Sequence, residues 1–153
     1  MPGIVVRVGP ADFDPGLEYR LMSERTGGAG AIASFIGIVR GEDAGRAIAA
    51  MTLEHYPAMT ERAIRTIAEE AERRWRLLGT SVVHRVGRLV PGERIVLVMA
   101  AASYREPALA ATSFLIDWLK TKAPFWKKEH FADGRAAWVA ARETDERAAA
   151  RWG

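Results

Sequence analysis

Four lysines stand within nine positions, Lys120 to Lys128, with Pro124, Phe125 and Trp126 among them. An amine surrounded by other cations loses proton affinity and can act as a base or nucleophile near neutral pH. The same amines, with Arg40 and Arg105 elsewhere in the chain, could instead bind an anion. The alternatives are few. No cysteine occurs, which removes thiolate nucleophiles, disulfides and thiolate metal sites. His55, His84 and His130 form no ligand-spaced pair, so the sequence implies neither a metal nor a bound cofactor. Serine–histidine–aspartate sets, spaced carboxylate pairs and phosphate-binding glycine motifs are also missing. Residue types alone leave two readings open: an anion pocket containing lysines, or dispersed surface cations with Lys120 and Lys122 favoured by a helix C-terminal dipole.

The elements that must position these groups follow from pattern. Ile4 to Val8 reads as a strand, and Asp14-Pro15 as the cap and first residue of a helix ended by Gly27-Gly28. Ala29 to Val39 is apolar and β-branched, a buried strand that delivers Arg40 to a polar loop, Gly41 to Gly45. Ala47 to Tyr56 is the returning strand. After Pro57 comes a long helix with an apolar face at Met59, Ala63, Ile64, Ile67, Ala68, Ala71 and Trp75. Its other face carries Glu61–Arg65, Glu69–Arg73, Glu70–Arg74 and Glu72–Arg76, each spaced for an i,i+4 pair.

Ser81 to Val86 is a strand, Val90 to Glu93 a turn, and Arg94 to Ala102 a nearly continuous apolar strand suited to a sheet centre. That strand hands Tyr104 and Arg105 to a helix beginning near Pro107 and stopping near Ala123, since the residue before Pro124 avoids the α region. A bend pinned by Phe125 and Trp126 is expected next, then a loop over His130–Arg135, a strand over Ala136–Ala141 and a terminal helix. Hairpins mixed with crossovers predict an α+β fold with a mixed, mainly antiparallel sheet.

The chain has 153 residues, 49% hydrophobic and 27% charged, which predicts one domain over residues 1–153 with a full core. No apolar run is long enough to span a bilayer, and the start of the chain lacks signal-peptide features. A cytoplasmic protein is expected, without membrane contact. The net charge of +3 suits an anionic substrate or acidic partner. It suits nucleic acid less, because acids and bases interleave.

Three stretches carry a resemblance: Leu53-Glu54-His55-Tyr56-Pro57-Ala58-Met59-Thr60-Glu61, His84-Arg85-Val86-Gly87 with Pro91-Gly92-Glu93, and above all Leu119 through Glu129. With them the chain, from about Ile4 to Trp152, resembles the large, catalytic subunit of molybdopterin synthase. The resemblance implies an α/β hammerhead part with a further α+β part. It implies conversion of cyclic pyranopterin monophosphate to molybdopterin by insertion of two sulfurs. The sulfur would arrive as the C-terminal thiocarboxylate of a small ubiquitin-like carrier subunit, on a homodimer of large subunits within a heterotetramer. A chain without cysteine would need its sulfur brought in, and an anionic pterin and carrier tail match the arginines and lysines.

Carried over by position, Lys120 and Lys127 are implied as catalytic. The substrate pocket is implied to include Arg40 with backbone help from Ile38 and Val39, then Tyr104, Arg105, Lys127, Lys128 and Glu129, and Arg142 after Trp138-Val139. One departure stands out: Tyr104 occupies the place where the family usually has histidine. A phenol can donate a hydrogen bond, but with an ordinary pKa near 10 it is a poor proton shuttle at neutral pH. Two rival functions remain beside this one. A module could capture a ubiquitin-like tail without chemistry, or the lysines and Trp126 could form a phosphate-and-stacking site for nucleic acid.

Overall fold

The computed structural model describes residues 3–153. The chain runs β1 (Ile4–Gly9), α1 (Pro15–Arg25), β2 (Ala31–Ile38), β3 (Glu42–Asp43), β4 (Arg46–His55), α2 (Pro57–Trp75), β5 (Gly79–Arg85), β6 (Gly87–Leu89), β7 (Arg94–Ala102), α3 (Arg105–Thr121), β8 (Phe125–Phe131), β9 (Ala136–Val139) and α4 (Glu143–Ala150). Four strands form one sheet in the order β1-β5-β7-β2. β1 and β5 pair in parallel, whereas β5–β7 and β7–β2 are antiparallel. In the second sheet β4 pairs with β8 on one side and with β3 and β6 on the other, and β9 pairs with β8. This is the expected α+β fold with mixed, mainly antiparallel sheets.

The apolar strand β7 is central, as its composition requires. Leu97, Met99 and Ala101 face α1 and pack with Phe13, Met22 and Val83. Val96 and Val98 face the other way, onto Ala71 of α2 and Phe114 and Leu115 of α3. Helix α1 begins where Asp14 accepts hydrogen bonds from the Gly16 and Leu17 amides, with Pro15 in the first turn.

A third cluster, Val39, Met51, Leu53, Val86 and Leu89, joins the two sheets. The chain crosses between them at Gly87, whose φ of +90° lets it turn sharply from β5 into β6.

Several expectations are corrected. Helix α3 starts two residues earlier than Pro107 and ends at Thr121, with Lys122 as its cap. The chain turns over residues 122–124 as expected, with Phe125 stacked on His84 and Trp126 edge-on to Tyr56. These two aromatics, however, already begin β8, which extends to Phe131 and so covers part of the expected loop at His130–Arg135. Ala140 and Ala141 lie beyond β9. On α2, Met59 is exposed and Thr60 is buried in its place. The Thr60 hydroxyl accepts from the Tyr56 amide and donates to the Pro124 carbonyl, tying the start of α2 to the α3–β8 connection. Among the described residues, none of the four acid–base pairs expected along α2 closes to within 4.0 Å. Glu72 instead accepts from the Thr80 hydroxyl.

Candidate functional site

A cleft of about 450 Å³ opens between the two sheets and the C-terminal end of α3. Its volume lies within the range usual for small-molecule sites, roughly 300–1,000 Å³. Phe35, Met51, Leu53, Ile116 and Leu119 supply apolar wall. Lys120, Lys127, Arg40 and Arg142 supply the cations, and Asp43, Glu129 and Asp145 the acids.

Lys120 arrives in the last turn of α3, and Lys127 arrives from the third position of β8. Strand alternation decides the rest: Phe125, Lys127 and Glu129 face inward, opposite His55, Leu53 and Met51 of β4. Lys127 is held below the ordinary lysine pKa, first by burial and then by the charge of Lys120, with Glu129 and Asp145 pulling the other way. Among the described residues, neither Lys120 nor Lys127 has a carboxylate within 4.0 Å. Two amines in an apolar-walled cleft without a carboxylate partner make a site for an anion, and the more buried one gives up its proton more readily than a free lysine.

Arg40 is placed by a chain of contacts that begins in the core. Arg85, 8% exposed, hydrogen-bonds Glu93 and the Pro10 and Arg94 carbonyls. Glu93 also accepts from the Val90 amide, which fixes the Val90–Glu93 turn, with Gly92 at φ +92°. That turn grips Val39 from both sides: the Val39 amide donates to the Glu93 carbonyl, and the Gly92 amide donates to the Val39 carbonyl. The Val39 side chain is buried, and its amide and carbonyl are both bonded to the turn. Ile38, half-exposed, lines the cleft with its side chain.

Glu129, 7% exposed, sits in the cleft with its carboxyl pushed above the ordinary range by burial and then by a hydrogen bond and charge from Asp43. Arg142 donates to Asp43 Oδ1 at 3.1 Å, and Arg40 lies 3.6 Å from the same oxygen.

Three expected pocket residues lie elsewhere. Lys128 is on the outer face of β8, 5.4 Å from the Trp138 ring centroid. Tyr104 is 76% exposed just ahead of α3, and Arg105 borders a separate groove with Leu109, Arg151 and Trp152. Arg105 opens α3 and Lys120 is in its last turn, so about 22 Å of helix axis separates them at about 1.5 Å per residue. Within one chain they cannot share a pocket.

The structure also adds a cleft residue not singled out from residue types. His84 stacks on Phe125 with centroids 3.9 Å apart. Its Nδ1 lies 2.8 Å from the Arg85 carbonyl, which can only accept, so Nδ1 carries the proton and Nε2 a lone pair. Burial pushes the imidazole down to about 4, and the charges of Lys120, Lys127 and His55 act in the same sense. At neutral pH it is an uncharged acceptor beside two lysines. The signal in the sequence was a polar residue inside the buried β5 pattern.

Comparison with known proteins identifies the family of the chain. Residues 8–122 match the model of the MoaE protein family. A molybdopterin synthase catalytic subunit from Cereibacter sphaeroides is 52% identical over 97% of this chain and 99% of its own length. One from Ralstonia nicotianae is 51% identical over 97% of this chain and 84% of its own. A solved molybdopterin biosynthesis MoaE protein from Burkholderia ambifaria superposes with a TM-score of 0.83 at 48% identity, covering 98% of both chains. With 115 consecutive residues matched and half the sequence shared with full-length relatives, the chain belongs to the MoaE protein family.

Proposed function

We propose that this protein is the catalytic subunit of a molybdopterin synthase, a sulfurtransferase of molybdenum cofactor biosynthesis. Its substrate would be cyclic pyranopterin monophosphate, and its sulfur donor the C-terminal thiocarboxylate of a small ubiquitin-like carrier subunit. The observation that carries this reading is the convergence of Lys120 and Lys127 with Arg40 and Arg142 in one apolar-walled cleft. A phosphorylated, flat heterocycle and a carboxy-terminal tail are both anionic, and the first also needs apolar wall.

In this reading Arg40 and Arg142 bind the phosphate. Lys120 pairs with the incoming thiocarboxylate. Lys127, with its lowered proton affinity, exchanges a proton at the reacting centre. Phe125 and His84 form a stacked floor for the pterin, with the His84 Nε2 as acceptor. Glu129, its carboxyl pushed above the ordinary range by burial and then by Asp43, lines the cleft beside the clamp of cations.

Tyr104 and Arg105 fit the reading only across a dimer. Their distance from Lys120 along α3 supports a homodimer in which each copy lends its α3 N-terminus to the other's cleft. With one carrier at each cleft the assembly is a heterotetramer. The reading takes residues 1–153 as one domain acting in the cytoplasm; no helix among the described residues is long and apolar enough to cross a membrane.

The test is product formation. This protein, a thiocarboxylated carrier and cyclic pyranopterin monophosphate should yield the dithiolene product in single-turnover mixing. Binding of the carrier without product would favour tail capture alone. A steep salt dependence of oligonucleotide binding would favour the nucleic-acid alternative.

A further inference from the structure

We propose that Asp43 is a positioning residue that sets Arg40 and Arg142 as a two-armed clamp for the substrate's phosphate. The inference rests on the reading that this cleft takes the phosphorylated pterin. Arg40 follows β2 and Arg142 follows β9, so the two guanidiniums come from distant parts of the chain. They meet at one oxygen: Asp43 Oδ1 is 3.6 Å from Arg40 Nη2 and 3.1 Å from Arg142 Nη2. Without a carboxylate between them, the two cations would repel each other and swing apart into solvent. Each guanidinium has five N–H donors and commits one terminal nitrogen to Asp43. The others remain for an anion in the cleft that all three residues line.

The backbone shows that Asp43 is placed for this. It ends β3 and pairs with Arg46 across a two-residue turn. Both turn residues have positive φ, Ala44 at +50° and Gly45 at +78°, the conformation that closes a tight hairpin between twisted strands. The Ile48 amide donates to the Gly41 carbonyl and closes the loop's base. The Asp43 side chain is 29% exposed, against 55% for Arg40 and 52% for Arg142, so the acid is the most buried of the three. Glu129 lines the same cleft beside Asp43, and its carboxyl is pushed above the ordinary range by burial and then by Asp43.

The experiment is steady-state turnover of the full complex with varied cyclic pterin. Asp43→Ala should raise KM about tenfold with kcat within about twofold, the pattern of binding lost equally from ground and transition states. Asp43→Glu should recover most of that loss. In an Arg40→Ala, Arg142→Ala background, adding Asp43→Ala should change KM by less than about twofold, because the residue would act only through those arginines. An unchanged or lowered KM in Asp43→Ala would overturn the inference, the lowered value by showing that Asp43 competes with the phosphate. A full further tenfold loss in the double-arginine background would also overturn it. If the wild type makes no product, the functional reading fails instead. The clamp is then judged by titrating inorganic phosphate, followed by phosphorus NMR, with the same variants and the same expected order.

Discussion

Lys127 and Lys128 are consecutive in β8 and serve opposite faces: Lys127 enters the cleft with Lys120, and Lys128 lies over the Trp138 ring. Strand alternation causes the split, and it separates two residues that the sequence alone groups together. Lys127→Ala should therefore lose at least about a hundredfold in single-turnover sulfur transfer, the scale of a proton-transferring group. Lys128→Ala should stay within about threefold of wild type, because an exposed cation–π contact contributes only about 0.5–1 kcal/mol and lies outside the cleft. Equal losses in both would refute the assignment of faces.

His84 makes a prediction about acid stability. Its pKa is about 4 in the folded chain, against an ordinary value of 6.5. The unfolded chain takes up the proton first, so the stability due to the neutral imidazole is complete above pH 6.5. It is lost as the pH falls from there through about 4. Between pH 7 and 4.5 the loss from this one group should be on the order of 2–3 kcal/mol, at about 1.4 kcal/mol per pH unit of difference. His84→Phe keeps a ring against Phe125 and removes the titration. Urea unfolding at the two pH values should show a smaller acid loss in the variant, although it starts less stable because the Arg85 carbonyl loses its donor. Identical acid losses in both proteins would show that His84 is already protonated, or already solvated, in the fold.

Tyr104 tests the departure from the family pattern. It stands free of side-chain capping ahead of α3, largely in solvent in the single chain. A neutral phenol reaching a second copy's cleft offers a hydrogen bond worth roughly 0.5–1.5 kcal/mol. Tyr104→Phe should then cost about tenfold or less. Tyr104→His should remain active. A thousandfold loss in Tyr104→Phe, measured across pH 6–10 with the fold intact, would make the phenol a proton donor or acceptor.

What could be read from the sequence divides along physical lines. Helix α1 and the central strand β7 were legible because their signals are local: Asp14-Pro15 caps one, and an apolar run marks the other. Strand β8 was not, because Trp126-Lys127-Lys128-Glu129-His130 is polar on both faces. One face lines a charged cleft and the other meets solvent, so no alternation of apolar and polar residues marks it. The lysines could be chosen as chemical groups from their types. Which of them share a space could not, since that depends on the exit of β8 from Pro124. Asp43 was invisible for a further reason: its partner Arg142 is about a hundred positions away, and nothing local links them.

The last prediction follows from the length of α3. Arg105 and Lys120 are about 22 Å apart along one helix, at about 1.5 Å per residue. If both serve the same reaction, they do so from two copies of the chain. Lys120→Ala and Arg105→Ala homodimers should each be nearly inactive. When the two variants are mixed and exchange subunits, the heterodimer has one cleft with both defects and one with neither. Random exchange makes about half of the dimers mixed, so activity should rise to about a quarter of the wild-type level, as closed twofold symmetry requires. Melting curves of the separate variants should match wild type, because both residues are exposed and alanine suits a helix. A mixture that stays as inactive as its components, after exchange is verified with differently tagged chains, would place Arg105 outside the catalytic cleft altogether.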